Sequence, residues 1–319
     1  MIVNDSIYGK VKITSPVLIE LIKSTSMQRL KKIAQNGIPN KYYHIKCGNR
    51  FEHCVGVMLL LKQLGATEEE QVAGLLHDVS HTAFSHVIDW VVGTGETEDY
   101  QDNQHAMFIN GRELSKILKK YKIDTKRIAN YHHYFSLLET DIPDLCADRV
   151  DYALREFPYS TTKRLVKFLT VGDDEIVFMN EKSALEFARN YAKRQKVHWG
   201  GYEAVVRYSI LAKILKKALS LKIITMKDFL KDDAYIINKL INSKDKQILE
   251  TLKILKQKSL INLTKGEKIV QKKFRFVDPL FLRNGSLQRL SFVNKQYKLE
   301  LENARKENSQ GITLPLIAI

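Results

Sequence analysis

The sequence predicts a mainly α-helical protein with a helical core and a smaller α+β C-terminal region. Apolar residues recur at helical spacing through most of the chain, and 319 residues of which 44% are hydrophobic can bury a substantial core. Strand-forming runs occur late in the chain, separated by Asp-Pro and Asn-Gly turns. The composition changes after Pro158, so we expect a core at residues 1–160 and a basic helical region with a small β element at residues 161–319.

Helix signals in the first half place several polar residues on or beside helices. Residues 15–37 are predicted to form one long helix, because Pro is favoured in a first turn and Gly ends a helix. A second helix is expected to begin near Arg50. Thr67, with Glu70 three residues later, is the capping-box signature of a third helix. A fourth helix is expected to start at Pro143.

The second half is predicted to alternate helices with a few strands. In order, we expect a strand at 175–180, helices at 183–195, 202–221, 226–241 and 244–257, and strands at 268–277 and 290–299. Residues 302–311 are polar and predicted to fray. The apolar end, residues 312–319, is expected to dock on the body of the protein or on another subunit, and we expect a homo-oligomer.

The second half is also strongly basic. Residues 1–160 carry 19 Lys and Arg against 20 Asp and Glu, whereas residues 161–319 carry 32 against 16. Such a surplus can attract nucleic acid, anionic nucleotides or an acidic partner. The lysines alternate with Ile and Leu at helical spacing, however, and this pattern is more typical of the solvated face of amphipathic helices.

The cysteines and the N-terminus indicate the cellular environment. Cys47, Cys54 and Cys146 have no spacing typical of a disulfide framework or a zinc finger. Residues 1–10 lack the apolar core of a signal peptide, and no apolar run reaches the roughly 18 residues of a membrane span. We therefore expect a cytoplasmic protein without a membrane partner.

Two imidazoles and two carboxylates, spread over separate apolar segments, form a candidate metal site: His53, His77, Asp78 and Asp148. A lone His in an apolar stretch is usually a packed core residue, but four such groups can hold a catalytic ion. Carboxylates suit Mg²⁺ or Mn²⁺ and imidazoles suit Zn²⁺, Fe²⁺ or Ni²⁺, so the identity of the divalent metal stays open. A phosphate ester is the natural substrate, since its oxygens can complete the coordination.

These residues resemble the signature of the HD-domain metal-dependent phosphohydrolases, which is a His, then His-Asp, then a distant Asp. Within that superfamily the dNTP triphosphohydrolase branch is most similar, with shared order and spacing from Ile7-Tyr8-Gly9 to the run at residues 81–86. The likeness covers about the first 157 residues. It implies an HD-domain helical core, a bound divalent metal ion and a nucleotide substrate.

The resemblance also implies roles for individual residues. His105 matches the family's proton-donating histidine and Asp89 the carboxylate that orients it. His81 and His86 match residues near the phosphates, where a donor stabilises developing negative charge. Arg149 matches a basic phosphate-binding residue of the family, and Tyr152 matches a nearby aromatic contact. Arg50 is assigned to the phosphate oxygens from its chemistry alone.

At the sugar the sequence departs from the family pattern. Gln35 matches a sugar-contacting Gln, but the apolar residue that follows it in the vertebrate members is Asn36 here. Glu156 stands in place of an Asp that binds the 3′-hydroxyl. Because an amide can hydrogen-bond a 2′-hydroxyl, we expect weak discrimination between deoxyribose and ribose. The alternative is that Asn36 only caps the first helix before Gly37.

Three functional classes are compatible with the sequence. The first is a metal-dependent nucleotide phosphohydrolase that resembles the dNTP triphosphohydrolases and releases nucleoside and triphosphate. The second is a phosphodiesterase or nuclease whose basic second half holds nucleic acid. The third is a nucleotide-binding regulator without turnover, against which the intact ligand set argues.

Overall fold

The computed structural model describes residues 1–95, 97–271 and 273–317, and within them the protein is mainly helical. Helices make up 56% of the structure. The helices are α1 Pro16–Lys23, α2 Thr25–Arg29, α3 Arg50–Gln63, α4 Glu68–Leu76, α5 Val87–Val92, α6 Tyr100–Ile109, α7 Arg112–Lys120, α8 Thr125–Ala129, α9 Ala147–Glu156, α10 Tyr159–Leu165, α11 Glu181–Arg194, α12 Tyr202–Ser220, α13 Asp233–Asn242, α14 Lys246–Leu255, α15 Leu290–Val293 and α16 Lys295–Ser309. None of these helices is long and apolar enough to cross a membrane.

Within the described residues the strands form three small sheets. They are β1 Ile2–Asp5, β2 Gly9–Lys12, β3 Leu169–Gly172, β4 Glu175–Phe178, β5 Lys265–Val270, β6 Leu280–Arg283, β7 Ser286–Arg289 and β8 Ile312–Pro315. β1 pairs with β2 and β5 pairs with β8, both antiparallel. The four-stranded sheet has the order β3-β4-β6-β7, in which β4 and β6 are parallel. The predicted mainly α fold with a minor β element in the second half is confirmed.

Two apolar cores hold the structure together, and both draw side chains from before and after residue 160. The larger core joins the helices of the first half to residues such as Phe178, Phe187 and Tyr297. The smaller core packs α12 and α14 against α5 and Phe84. The predicted division at residue 160 therefore does not separate two cores, and as a domain boundary it stays a prediction.

The predicted long helix at residues 15–37 is broken. The α-helical turns end at Lys23, restart at Thr25 and finish in a short 3-10 turn, Leu30–Lys32. Ser24 has extended backbone, and its side chain accepts a hydrogen bond from the Met27 amide as the cap of α2. The Glu113 carboxylate of α7 binds the first free N–H groups of α2, which stabilises the break from outside the segment.

The predicted strand at residues 290–299 is wrong. This segment forms α15 and the start of α16, and α16 also includes most of the stretch expected to fray. The Asn294 side chain accepts from the Tyr297 amide and caps α16. Tyr297 is buried and donates its hydroxyl hydrogen to the Val277 carbonyl. Packing of one side chain thus overrides the β propensity of Phe, Val and Tyr.

The apolar end of the chain docks on the body of the protein. β8 pairs with β5, and Leu314 is buried in the smaller core. Residues 318 and 319 of the predicted docking segment lie outside the described residues. Because β8 has a partner within the chain, the tail no longer argues for a subunit contact, and the expected homo-oligomer stays a prediction.

Candidate active site

Three of the predicted metal ligands converge from three segments. A capping box of Asn49 and Glu52 starts α3 and fixes His53 one residue further on. His77 follows the last residue of α4, and Asp148 lies in the first turn of α9. His53 Nε2 lies 2.8 Å from Asp148 Oδ1 and 3.2 Å from His77 Nε2. One potential metal-ligating atom from each of His53, His77 and Asp148 lies within 4.8 Å of those of the other two residues.

The outer hydrogen bonds of the two imidazoles fit a metal site. His53 Nδ1 donates to Asp151 Oδ2 at 2.8 Å, and His77 Nδ1 donates to the Gly74 carbonyl at 2.7 Å. Each bond fixes the ring with Nε2 directed at the common point, which is how proteins orient metal-binding His. Asp151 also accepts from Arg155 Nε at 2.6 Å. Asp151 therefore both forms a helix salt bridge with Arg155 and lies beside the candidate metal site.

Asp78, the fourth predicted ligand, lies beside this group of three residues. Its carboxylate oxygens lie 3.7 Å from His53 Nε2 and 3.6 Å from His77 Nε2. Arg50 Nη1 donates to Asp78 at 2.5 Å, and Arg50 Nε donates to Ser85 Oγ at 3.0 Å. Arg50 lines the cavity, but in this structure its guanidinium holds a ligand carboxylate in place.

His53, His77 and Asp78 are buried and Asp148 is partly exposed, and the charges of these residues depend on one another. Although burial alone would raise it, the pKa of Asp148 is lowered by hydrogen bonds to His53 and His77. Burial and the Arg50 charge lower the pKa of His81 to about 3, so this side chain is neutral. His81 Nε2 lies 3.2 Å from Asp78 Oδ1. A neutral His81 that donates to Asp78 has no second N–H for a phosphate, which argues against its predicted catalytic role.

The metal ligands open into a cavity of about 470 Å³ between the two halves of the chain. Predicted residues that line it beside the ligands are Gln35, Asn36, Arg50, His81, His86, Arg149, Tyr152 and Glu156. The structure therefore brings the predicted substrate-binding residues together around one space. Its volume lies within the range typical of small-molecule sites.

The predicted pair of His105 and Asp89 does not form. His105 is buried, and its ring faces Ser80 Oγ and the Ile128 carbonyl, each at 3.4 Å. Burial lowers the pKa of His105 to about 4. Asp89 instead lies 3.5 Å from His86 Nδ1, and His86 is the histidine that lines the cavity. The described residues contain no hydrogen bond or ion pair between His105 and Asp89.

Two side chains that are predicted to contact the substrate already form hydrogen bonds with other protein groups. Arg149 donates to the Asp144 carbonyl at 2.5 Å and to the Thr140 carbonyl at 3.1 Å, so its position on the cavity wall is fixed. The Tyr152 hydroxyl hydrogen-bonds the Tyr191 hydroxyl of α11. Both side chains still line the cavity.

Sequence reasoning missed a basic segment that the second half contributes. Lys273, Phe274 and Arg275, which we call the basic strap, line the same cavity as the predicted ligands His77, Asp78 and Asp148. Arg275 forms an ion pair with the buried Glu98 carboxylate. The strap lies beyond the part of the chain that resembles the family, and the only signal for it was the basic charge of the second half.

The comparison with known proteins supports this chemistry. A sequence model of the HD domain matches residues 50–156, which contain all four predicted metal ligands. The metal-dependent phosphohydrolase cns2 of Cordyceps militaris is 32% identical to this chain over an alignment that covers 67% of this chain and 65% of cns2. The chain belongs to the HD-domain metal-dependent phosphohydrolases. It is a hydrolase that acts on phosphate esters with a divalent metal ion.

Other relatives of this HD-domain phosphohydrolase extend the likeness. The uncharacterized protein YdhJ of Bacillus subtilis is 35% identical across 99% of both chains. A protein of Dictyostelium discoideum described as a deoxynucleoside triphosphate triphosphohydrolase SAMHD1 homolog is 25% identical, across 90% of this chain and 62% of its own length. A crystal structure of a Bacteroides thetaiotaomicron phosphohydrolase superposes with a TM-score of 0.61 and 21% identity, covering 80% of this chain and 76% of that one. This last similarity supports the fold alone.

Proposed function

We propose that this HD-domain phosphohydrolase hydrolyses nucleoside triphosphates to nucleoside and triphosphate, as its dNTP triphosphohydrolase-like sequence suggests. The observation that carries the proposal is the cavity itself. Its lining includes three of the predicted metal ligands together with the cationic side chains of Arg149, Lys273 and Arg275. A triphosphate needs both a metal ion and fixed positive charge, and a nucleoside needs the remaining volume. The relative from Dictyostelium discoideum supports the same substrate class.

His86 is the proton donor in this proposal. When bound, the metal ion would polarise the phosphate and lower the pKa of an attacking water. His86 lines the same cavity, and its Nδ1 lies 3.5 Å from the Asp89 carboxylate. A His supported in this way can donate a proton to the leaving sugar oxygen. Arg149, fixed by two backbone carbonyls, provides a positive charge for the phosphates.

Product analysis tests this function. Protein reconstituted with Mn²⁺, Mg²⁺, Zn²⁺, Fe²⁺ or Ni²⁺ is incubated with the four dNTPs, the four NTPs and single-stranded oligonucleotides. We expect nucleoside and tripolyphosphate from at least one nucleotide, and no product from an Asp148→Ala control. Release of pyrophosphate or orthophosphate from the nucleotides would contradict the proposed bond cleavage. Shortened oligonucleotides without nucleotide turnover would support a nuclease instead.

A further inference from the structure

Two consecutive residues between His81 and His86 have left-handed backbone. Phe84 has a φ of +65° and Ser85 a φ of +44°, and both side chains are buried. Residues other than glycine rarely adopt this conformation, because the Cβ atom crowds the backbone. Such a turn persists only where its surroundings hold it, and strained turns are concentrated at functional sites. The contacts of these two residues therefore identify what holds the turn and what the turn positions.

A carboxylate from the second half of the chain holds the turn. Asp233 is the first residue of α13, and its side chain is buried. Its Oδ1 accepts a hydrogen bond from the Phe84 amide at 2.8 Å, and its Oδ2 accepts one from the Ala34 amide at 2.9 Å. A carboxylate can accept through both oxygens, whereas a side-chain amide has only one acceptor oxygen. Asp233 therefore ties the segment at Ala34 to the left-handed turn.

The turn places the Ser85 hydroxyl between two partners. Ser85 Oγ donates to the Ala34 carbonyl at 2.9 Å and accepts from Arg50 Nε at 3.0 Å. The same guanidinium donates through Nη1 to Asp78 Oδ2 at 2.5 Å. Because Asp233 binds the amides of both segments that meet at this hydroxyl, a connected set of hydrogen bonds runs from α13 to a predicted metal ligand.

We propose that Asp233 and Ser85 are positioning residues for metal binding. Asp233 holds the left-handed turn, the Ser85 hydroxyl fixes the Arg50 guanidinium, and Arg50 keeps the Asp78 carboxylate turned toward the ion. Outer partners of this kind orient metal ligands and thereby set the affinity for the metal. The inference goes beyond the proposed function, since it concerns a metal ligand and holds for any phosphate ester. It makes the metal site of the first half depend on a residue of α13.

Metal titration of the apoprotein tests the two residues. Mn²⁺, Mg²⁺, Zn²⁺, Fe²⁺ and Ni²⁺ are compared first, and the ion that binds most tightly is used for the variants. Ser85→Gly removes the hydroxyl and tolerates the positive φ. We expect Ser85→Gly and Asp233→Ala each to weaken binding by about 10-fold. Asp232→Ala removes the N-cap of the same helix but leaves the contacts of the turn, so this matched control should bind the ion like wild type.

A double-mutant cycle separates positioning from a merely structural role. Arg50→Leu alone should weaken metal binding by a similar factor, because it cuts the link to Asp78. In that background, adding Ser85→Gly or Asp233→Ala should weaken binding by less than about twofold further, whereas a structural role would give the same loss in both backgrounds.

Equal losses in both backgrounds, an unchanged affinity in Ser85→Gly, or a wild-type protein that binds none of the five ions would overturn the proposal. If Asp233→Ala does not fold, the cycle between Ser85 and Arg50 decides the outcome. Failure of nucleotide hydrolysis would overturn the proposed function and leave this result standing, since the titration measures metal binding without substrate.

Discussion

At the scale of single residues, Asp151 shows how a carboxylate that need not touch the metal can control its binding. It is fully buried and fixes the His53 ring through Nδ1. Asp151→Asn cannot accept in the same way from both His53 and Arg155, so we expect metal affinity to fall by about 10-fold to 100-fold. Titration of the apoprotein with metal measures this. Asp173→Asn, at an exposed turn where Asn tolerates the φ of +51°, is the control.

The choice of general acid is a second prediction at this scale. His86→Ala should lower kcat by about 10²-fold to 10⁴-fold with metal content unchanged, because the proton donor is lost. His105→Ala should keep kcat within severalfold, since His105 is buried outside the cavity lining. Single-turnover rates and elemental analysis separate chemistry from metal loss. A large loss of kcat in His105→Ala, together with a near-normal kcat in His86→Ala, would instead identify His105 as the proton donor.

Asp233 links stability to pH. Its carboxylate accepts from the Ala34 and Phe84 amides, and burial raises its pKa from 3.8 to about 7. Because the folded state holds this proton more tightly, its contribution to stability is present below about pH 4 and is lost as the pH rises through 7. We expect the contribution to decline by at most about 1.4 kcal/mol per pH unit across that window. Urea unfolding at pH 4.5, 5.5 and 6.5 should show a flatter dependence for Asp233→Asn than for wild type, and identical slopes would disprove the link.

At the scale of elements, Arg207 on α12 ties together segments that are distant in sequence. It is fully buried and donates to the Tyr42 carbonyl at 2.9 Å and to the Leu255 carbonyl, at the end of α14, at 2.6 Å. Removing its charge takes the guanidinium donor from these two carbonyls and the cation from Glu203, so Arg207→Leu should lower the free energy of unfolding by about 3 to 5 kcal/mol. Chemical denaturation measures this loss. Lys216→Leu, on the exposed face of α12, should change stability by less than about 0.5 kcal/mol, and a similar loss in both variants would contradict the prediction.

Elements specified by local sequence were predictable, and those specified by distant contacts were not. The cap at Thr67, the long amphipathic α12 and the strand β4 follow from side chains within a few residues. The break at Ser24 depends on Glu113, which is far away in the sequence. The same distinction applies to the site. The order of the predicted ligands along the chain pointed to the metal centre, whereas the return of Lys273, Phe274 and Arg275 to the same cavity could only be seen once the chain was folded.

At the scale of the whole molecule, both halves of the chain line the candidate active site. The metal ligands come from the first half, and the basic strap from the second half completes the cavity. Both apolar cores also cross residue 160. Part of the positive charge of the second half therefore lies in the cavity, because Lys273 and Arg275 of the basic strap line the space that a triphosphate would fill. In lining the cavity, the strap cations differ from the lysines that alternate with apolar residues along helices such as α12.

Metal binding should stabilise the entire fold, because the ligands cross-link α3, the end of α4 and α9. An ion that binds only the folded state adds about 2.7 kcal/mol at a concentration 100 times its Kd. We therefore expect the unfolding midpoint of the apoprotein to rise by several degrees on addition of the activating metal. Asp148→Ala should lose most of this rise, while His86→Ala should retain it, since His86 is assigned to proton transfer. Thermal scans of the three proteins with and without metal measure the effect, and an equal rise in Asp148→Ala and wild type would place the ion at a different site.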